Sequence, residues 1–257
     1  MIYSLIPAKT KSSRLPGKNT FKFFLGDKPL IAYTIEAVKE AGIHPLVFTN
    51  EKNIFNNTDA VIIPRNDDVS GLQATMKETV SAFIYKMNLK KDDVILLTYL
   101  TCPFRTSESI QKAIKLFHTT KADSLQSVTA VDYRPYGLMQ KQKNHKFKCL
   151  QSQKNYYQKQ NTPTLYKANG AIYIFKVSEL VKLNNQMFND DTVGYELDSI
   201  EGLDIDTKED LMFAEKIMEN RKNERLNYQL SGERDIKTKR SSFRGGVRFK
   251  CIETIRT

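Results

Sequence analysis

Apolar residues come in short runs separated by stretches with helical spacing. Ile2 to Ile6, Leu46 to Thr49, Val61 to Ile63, Val94 to Leu97, Ser124 to Val128 and Ala171 to Phe175 read as strands. The first is mostly apolar without clear alternation, which suits an inner strand covered on both faces. Between the runs, Ile31, Ile35, Val38 and Ala41 recur at steps of four and three, with Pro29 at the first turn and Gly42 at the C-cap. Met76, Val80, Phe83, Ile84 and Met87 share that helical spacing, as do Ile110, Ala113, Ile114 and Phe117. This alternation predicts an α/β fold with a doubly wound, mostly parallel, Rossmann-like sheet, whose ligands sit at the carboxyl ends of the strands.

Three of those ends carry unusual chemistry. After the first strand come Lys9, Lys11, Arg14, Lys18 and Lys22, with hydroxyls at Thr10, Ser12 and Ser13 and no acid before Asp27. Charge alone fits a solvated loop as well as a phosphate cradle, but Pro16-Gly17 bends the segment back so that amides, hydroxyls and cationic heads can surround a polyanion. It is neither a Walker loop nor a G-x-G-x-x-G fingerprint. After Val61 to Ile63, Arg65 is either a phosphate or nucleotide-sugar contact or a rim charge. After Val94 to Leu97, Thr106 caps the next helix, with Glu108 in its first turn, and Tyr99 either stacks on an acceptor ring or fills space.

The segment from Glu196 to Asp210 reverses the charge of an otherwise basic chain. In Leu203-Asp204-Ile205-Asp206, strand alternation sends Ile205 to one face and both carboxylates to the other. Two adjacent carboxylates repel unless a cation sits between them, and hard oxygen ligands with open positions suit Mg²⁺ shared with phosphates. Thr207 and Asp210 form a capping box, with Leu211, Ala214, Ile217 and Met218 facing inward. Capping accounts for Asp206 but not for Asp204.

Four ordered motifs, spread over roughly residues 2 to 218, together resemble the sugar-acid cytidylyltransferases, the family of acylneuraminate and Kdo cytidylyltransferases. Ile6, Pro7, Ala8, Ser12, Arg14, Pro16, Lys18 and Asn19 match I-P-A-R-x-x-S-x-R-x-P-x-K-N, with Lys9 in place of arginine and Thr10 and Lys11 where the sialic-acid branch carries glycines. Leu97 to Thr106 is similar to L-Q-P-T-S-P-L-R-T, matching at Thr101, Pro103, Arg105 and Thr106, with Tyr99 for glutamine and Cys102 for serine. Lys159-Gln160, Tyr166 and Asn169-Gly170-Ala171-Ile172-Tyr173 resemble R-Q … Y … N-G-A-I-Y, and Asp204 to Asp210 matches D-I-D-T-x-x-D without a break. Arg65 and Thr75 stand for a further arginine and hydroxyl residue, and Leu72 replaces an aspartate.

The resemblance implies transfer of CMP from CTP to a hydroxyl of an acidic sugar, a nonulosonic acid such as a sialic-acid-like sugar, with release of pyrophosphate, in surface glycan synthesis. It implies nucleotide binding by Ala8, Lys9, Ser12, Arg14, Lys18, Asn19, Arg65 and Thr75. Acceptor contacts fall on Tyr99, Thr101, Arg105, Lys159, Gln160 and Asn169. Lys18, Asp204 and Asp206 take the catalytic roles, with Mg²⁺ on the two aspartates. An excursion at about 133–166, in a domain spanning 1–220, would reach a second subunit of a homodimer.

The composition is consistent with this picture. Of 257 residues, 40% are hydrophobic and 27% charged, ordinary values for a globular protein. The net charge of +11 asks for an anionic partner. No apolar run approaches membrane-spanning length and the start lacks a signal peptide, so a cytoplasmic protein is expected. Cys102, Cys149 and Cys251 are scattered, which indicates neither a disulfide framework nor a zinc knuckle. None of His44, His118 and His145 lies in a motif, so no histidine base is expected. The basic tail, 221–257, reads as a solvated extension, and nucleic acid is not expected as a partner. Two alternatives stand beside this reading: a nucleotidyltransferase for another acceptor, and a non-catalytic nucleotide- or RNA-binding protein.

Overall fold

A computed structural model describes residues 1–9, 15, 17–18, 24–50, 59–66, 74–131, 138–143, 146–149 and 164–224. In chain order the elements are β1 (Ile2–Ala8), β2 (Phe24–Leu25), β3 (Lys28–Pro29), α1 (Leu30–Glu40), β4 (Leu46–Thr49), β5 (Val61–Pro64), α2 (Met76–Met87), β6 (Val94–Leu97), α3 (Ser107–Thr119), β7 (Ser124–Val131), β8 (Met139–Lys141), β9 (Phe147–Cys149), β10 (Leu165–Lys176), a 3-10 turn (Val177–Val181), β11 (Val193–Glu196) and α4 (208–224).

Seven strands form one sheet in the order β11-β7-β10-β6-β1-β4-β5. β5, β4, β1 and β6 run parallel to one another, β10 is antiparallel to both β6 and β7, and β11 is parallel to β7. The sheet is therefore mostly parallel with a single reversed strand.

Both faces are covered, and for that reason the inner strands read as continuous apolar runs. In β6, Val94 and Leu96 pack with α1, α3 and α4, whereas Ile95 and Leu97 pack with α2 on the other side. Ile172 and Ile174 against Tyr173 and Phe175 repeat that division in β10. α4 closes the first face through Ala214 and Ile217, and its Arg221 guanidinium lies 4.9 Å from the centre of the Phe104 ring. No helix among the described residues is long and apolar enough to cross a membrane.

Several elements differ from expectation. β10 begins at Leu165, six residues before the apolar run, and its register shifts between Ala168 and Tyr173, where Gly170 takes φ +77°. β11 is a short edge strand with alternating burial and was not anticipated. Pro29 is the N-cap of α1 rather than a first-turn residue. Residues 203–206 do not pair as a strand; a bond from the Ile205 amide to the Thr101 carbonyl (2.8 Å) fixes them to the loop after β6.

Candidate active site

The parallel strands deliver their ends to one rim. β1 ends on buried Ala8, and Lys9 follows. Gly17, at φ +78°, and a bond from the Lys18 amide to the Leu15 carbonyl (3.3 Å) turn the returning chain inward. Lys18 is consequently buried, and its ammonium donates to the Ile205 carbonyl at 2.8 Å and to Asp206 Oδ1 at 2.5 Å. Lys18, near the amino end, and Asp206, 188 positions away, are thus in direct contact.

Two further cations stand there. Arg65 continues the β4–β5 pairing by donating its amide to the Thr49 carbonyl (2.8 Å), while Nη2 donates to Thr79 Oγ1 (2.7 Å) and the guanidinium lies 5.7 Å from the Phe48 ring centre. Burial pulls its pKa down to about 10, which leaves it charged at neutral pH. Lys9 titrates below the usual lysine range, chiefly because burial disfavours its charge, and then because Arg65 and Lys18 are close.

Most acids of the 196–210 segment serve local structure. Glu196 accepts from the Tyr166 hydroxyl, and Asp198 accepts from the amides of Ile200 and Glu201. Glu201 accepts from the hydroxyls of Thr106 and Ser109 at the start of α3. Asp210 Oδ2 accepts from the amides of Asp206 (3.1 Å) and Thr207 (2.8 Å) and from Thr207 Oγ1, closing the capping box of α4. Burial pushes the Asp210 carboxyl up, but these bonds outweigh it and hold it below the usual range. Asp204 and Asp206 remain, both half-buried, on either side of fully buried Ile205.

That pair suits a hard divalent cation. Asp206 already faces a cation in Lys18, and Asp204 is near enough to Tyr99 and Cys102 to add to the upward push that burial chiefly gives both pKa values. Among the described residues no cluster of three or more His, Cys, Asp or Glu could hold a metal. Two carboxylates alone would leave most coordination positions to oxygens from elsewhere, as in ions shared with substrate phosphates.

Beside the pair stands Tyr99, whose ring lies 5.3 Å from that of Tyr173 at a tilt of 41°. Burial pushes Tyr99 well above the ordinary phenol range, and Tyr173 in turn meets the Gln126 side chain. Gly170 makes room for Tyr99: a Cβ there would lie 2.9 Å from its Cδ2.

Other expected site residues take structural positions. Arg105 turns inward: Nη1 donates to the carbonyls of Ala171 (2.8 Å) and Tyr99 (3.1 Å), and Nη2 donates to Thr34 Oγ1 (2.6 Å) and the Tyr99 carbonyl. It shapes the loop after β6 rather than facing an acceptor. Asn169 accepts from Ser127 Oγ and the Ala171 amide and donates to Thr129 Oγ1, all buried. Thr75 caps α2 through a reciprocal box with Glu78 and supports Arg65 through Thr79, whose hydroxyl donates to the Thr75 carbonyl. Thr101 is buried, and its carbonyl anchors Ile205. Ser12, Arg14, Asn19, Lys159 and Gln160 lie outside the described residues. Tyr173 and Thr79 received no role from sequence, because their contacts join separate elements.

A lysine that returns after the first strand of a mostly parallel α/β sheet to pair with an aspartate at the start of the last helix fits an α/β nucleotidyltransferase. The chain belongs to the cytidylyltransferase family, whose sequence profile, described as Cytidylyltransferase, matches residues 3–236. It is 33% identical over 240 residues to a CMP-N,N'-diacetyllegionaminic acid synthase of Legionella pneumophila, covering 85% of this chain and 96% of that protein. It is 28% identical over 222 residues to an N-acylneuraminate cytidylyltransferase of Streptococcus agalactiae, covering 81% of this chain. The chain spans about half the length of that streptococcal relative, 51%. Among solved structures, a CMP:2-keto-3-deoxy-manno-octonic acid synthetase complexed with CTP superposes with a TM-score of 0.61 at 16% identity, covering 86% of this chain and 99% of that one. A 4-diphosphocytidyl-2C-methyl-D-erythritol synthase from Anaerococcus prevotii gives 0.56 at 14% identity, covering 85% and 98%. At these identities the two structures share the fold.

Proposed function

We propose that the protein transfers CMP from CTP to a hydroxyl of a nonulosonic acid and releases pyrophosphate, supplying an activated sugar for surface glycan synthesis. The observation that carries this reading is the Lys18–Asp206 contact, which sets the phosphate-type loop against the carboxylate pair. The names of the Legionella and Streptococcus relatives support the acceptor class, and the CTP complex of the superposed synthetase supports the nucleotide.

In this reading Lys9, Lys18 and Arg65, with Ser12, Arg14 and Asn19 of the same loop, hold the triphosphate, and Ala8 closes the strand beneath it. The acceptor lies beside Tyr99 and Thr101, with Lys159 and Gln160 near its carboxylate. Its hydroxyl oxygen bonds to the α-phosphorus, the bond from that phosphorus to the bridging oxygen breaks, and pyrophosphate leaves with the electron pair. Negative charge grows on the phosphate oxygens and the leaving group, and cations fixed in advance stabilise it. Asp204 and Asp206 would hold Mg²⁺, which when bound neutralises phosphate charge and makes the acceptor hydroxyl easier to deprotonate. A homodimer, formed through the excursion at about 133–166 from a domain of residues 1–220 with a basic tail at 221–257, and a cytoplasmic setting complete the proposal.

The test is pyrophosphate release with CTP, Mg²⁺ and a panel of nonulosonic and octulosonic acids. Release is expected only with an acidic sugar, and Asp206→Ala should lower turnover by about a hundredfold or more. Undiminished turnover in that variant would remove the metal role. A second reading, a different acceptor for the same chemistry, is favoured by Tyr99 standing where the family carries glutamine, and the same panel separates the two.

A further inference from the structure

Lys18 and Asp206 form an ion pair with side-chain exposures of only 8% and 25%. The two partners are not equally fixed. Asp206 stands at the start of α4, its amide held by the Asp210 carboxylate within the capping box. Lys18 reaches Asp206 and the Ile205 carbonyl through a long, flexible side chain on a turn that contains Gly17. A divalent cation on Asp206 would bring two like charges into contact range, so the ion's arrival weakens the ammonium's hold on the carboxylate. Its surroundings offer poor alternatives, because Lys9 and Arg65 already make the neighbouring rim cationic. The Ile205 carbonyl it also meets carries no full charge, so an incoming polyanion provides a better partner.

We infer that Lys18 is a resident counter-ion: it occupies Asp206 against a divalent cation until nucleotide phosphates draw the ammonium away, so that metal and nucleotide bind interdependently. This rests on the nucleotide reading above and adds to it a coupling between the two ligands at one site.

Mn²⁺ binding to the full chain, followed by electron paramagnetic resonance without nucleotide, tests it. Wild type should bind Mn²⁺ weakly, Lys18→Met about tenfold more tightly, and Lys18→Arg no better than wild type. A second variant works from the other side: Asp206→Asn frees the ammonium, so CTP in EDTA should bind more tightly than to wild type. Lys18→Met binding Mn²⁺ no more tightly than wild type, or Asp206→Asn binding metal-free CTP no better, would overturn the coupling. If wild type still takes up Mn²⁺ and CTP together in that case, the nucleotide reading stands and only the coupling falls. If wild type takes up CTP under neither condition, both fall.

Discussion

Gly202 presses against the Thr129 hydroxyl so closely that a Cβ would lie 2.2 Å from Oγ1 and 2.7 Å from Asn169 Nδ2. Neither neighbour can withdraw cheaply, since Asn169 donates to that same Oγ1 at 2.8 Å in a buried network. Gly202 closes the turn that delivers the acidic segment, its amide donating to the Asp198 carbonyl at 3.0 Å. Gly202→Ala should therefore cost about 1–3 kcal/mol of stability, through overpacking. Urea unfolding checks this, and an unchanged midpoint would mean that the turn relaxes freely.

Arg105→Lys keeps the charge but loses the fork that joins Tyr99, Ala171 and Thr34. Leaving those buried acceptors short of a donor should cost about 2–4 kcal/mol. Thermal melting should show the loss, while the KM for CTP in the folded variant stays at its wild-type value. An unaltered melting temperature would place the guanidinium outside the protein's own framework.

Much of this arrangement was legible in the chain because local rules govern it. The fully buried β4 and β6 are inner strands, and Thr106 and Thr207 cap helices as their spacing indicates. The alternation around Ile205 correctly separates the buried side chain from the two carboxylates, although a bond to Thr101, not a strand, enforces it. What stayed hidden depends on distant partners. A period-two pattern carries no strand direction, so the reversal of β10 was invisible. Motif position likewise identifies a residue type at Arg105 and Asn169 but not whether the side chain turns inward. The Tyr99–Tyr173 contact joins a loop to a strand far along the chain.

Tyr99→Phe removes the phenol hydroxyl while leaving the ring against Tyr173 and Gly170. If Tyr99 borders the acceptor, relative kcat/KM among acidic sugars should shift by about tenfold, with little change in the KM for CTP. Equal losses for every acceptor would instead assign the hydroxyl to packing alone.

The last prediction concerns pH. In the folded protein Lys9 titrates below 10.5, first through burial and then through the charges of Arg65 and Lys18. The native state therefore binds fewer protons than the unfolded chain between the lowered value and 10.5, so this residue makes stability rise with pH across that window. A bound triphosphate acts in the opposite direction, because phosphate oxygens favour the charged amine. CTP binding should accordingly take up a proton at alkaline pH, and affinity should fall as pH rises through the lysine's lowered pKa. Lys9→Arg remains charged throughout and should flatten that decline. Calorimetry in two buffers of different ionisation enthalpy measures the uptake directly; no proton uptake by wild type across the alkaline range would show that Lys9 does not meet the nucleotide.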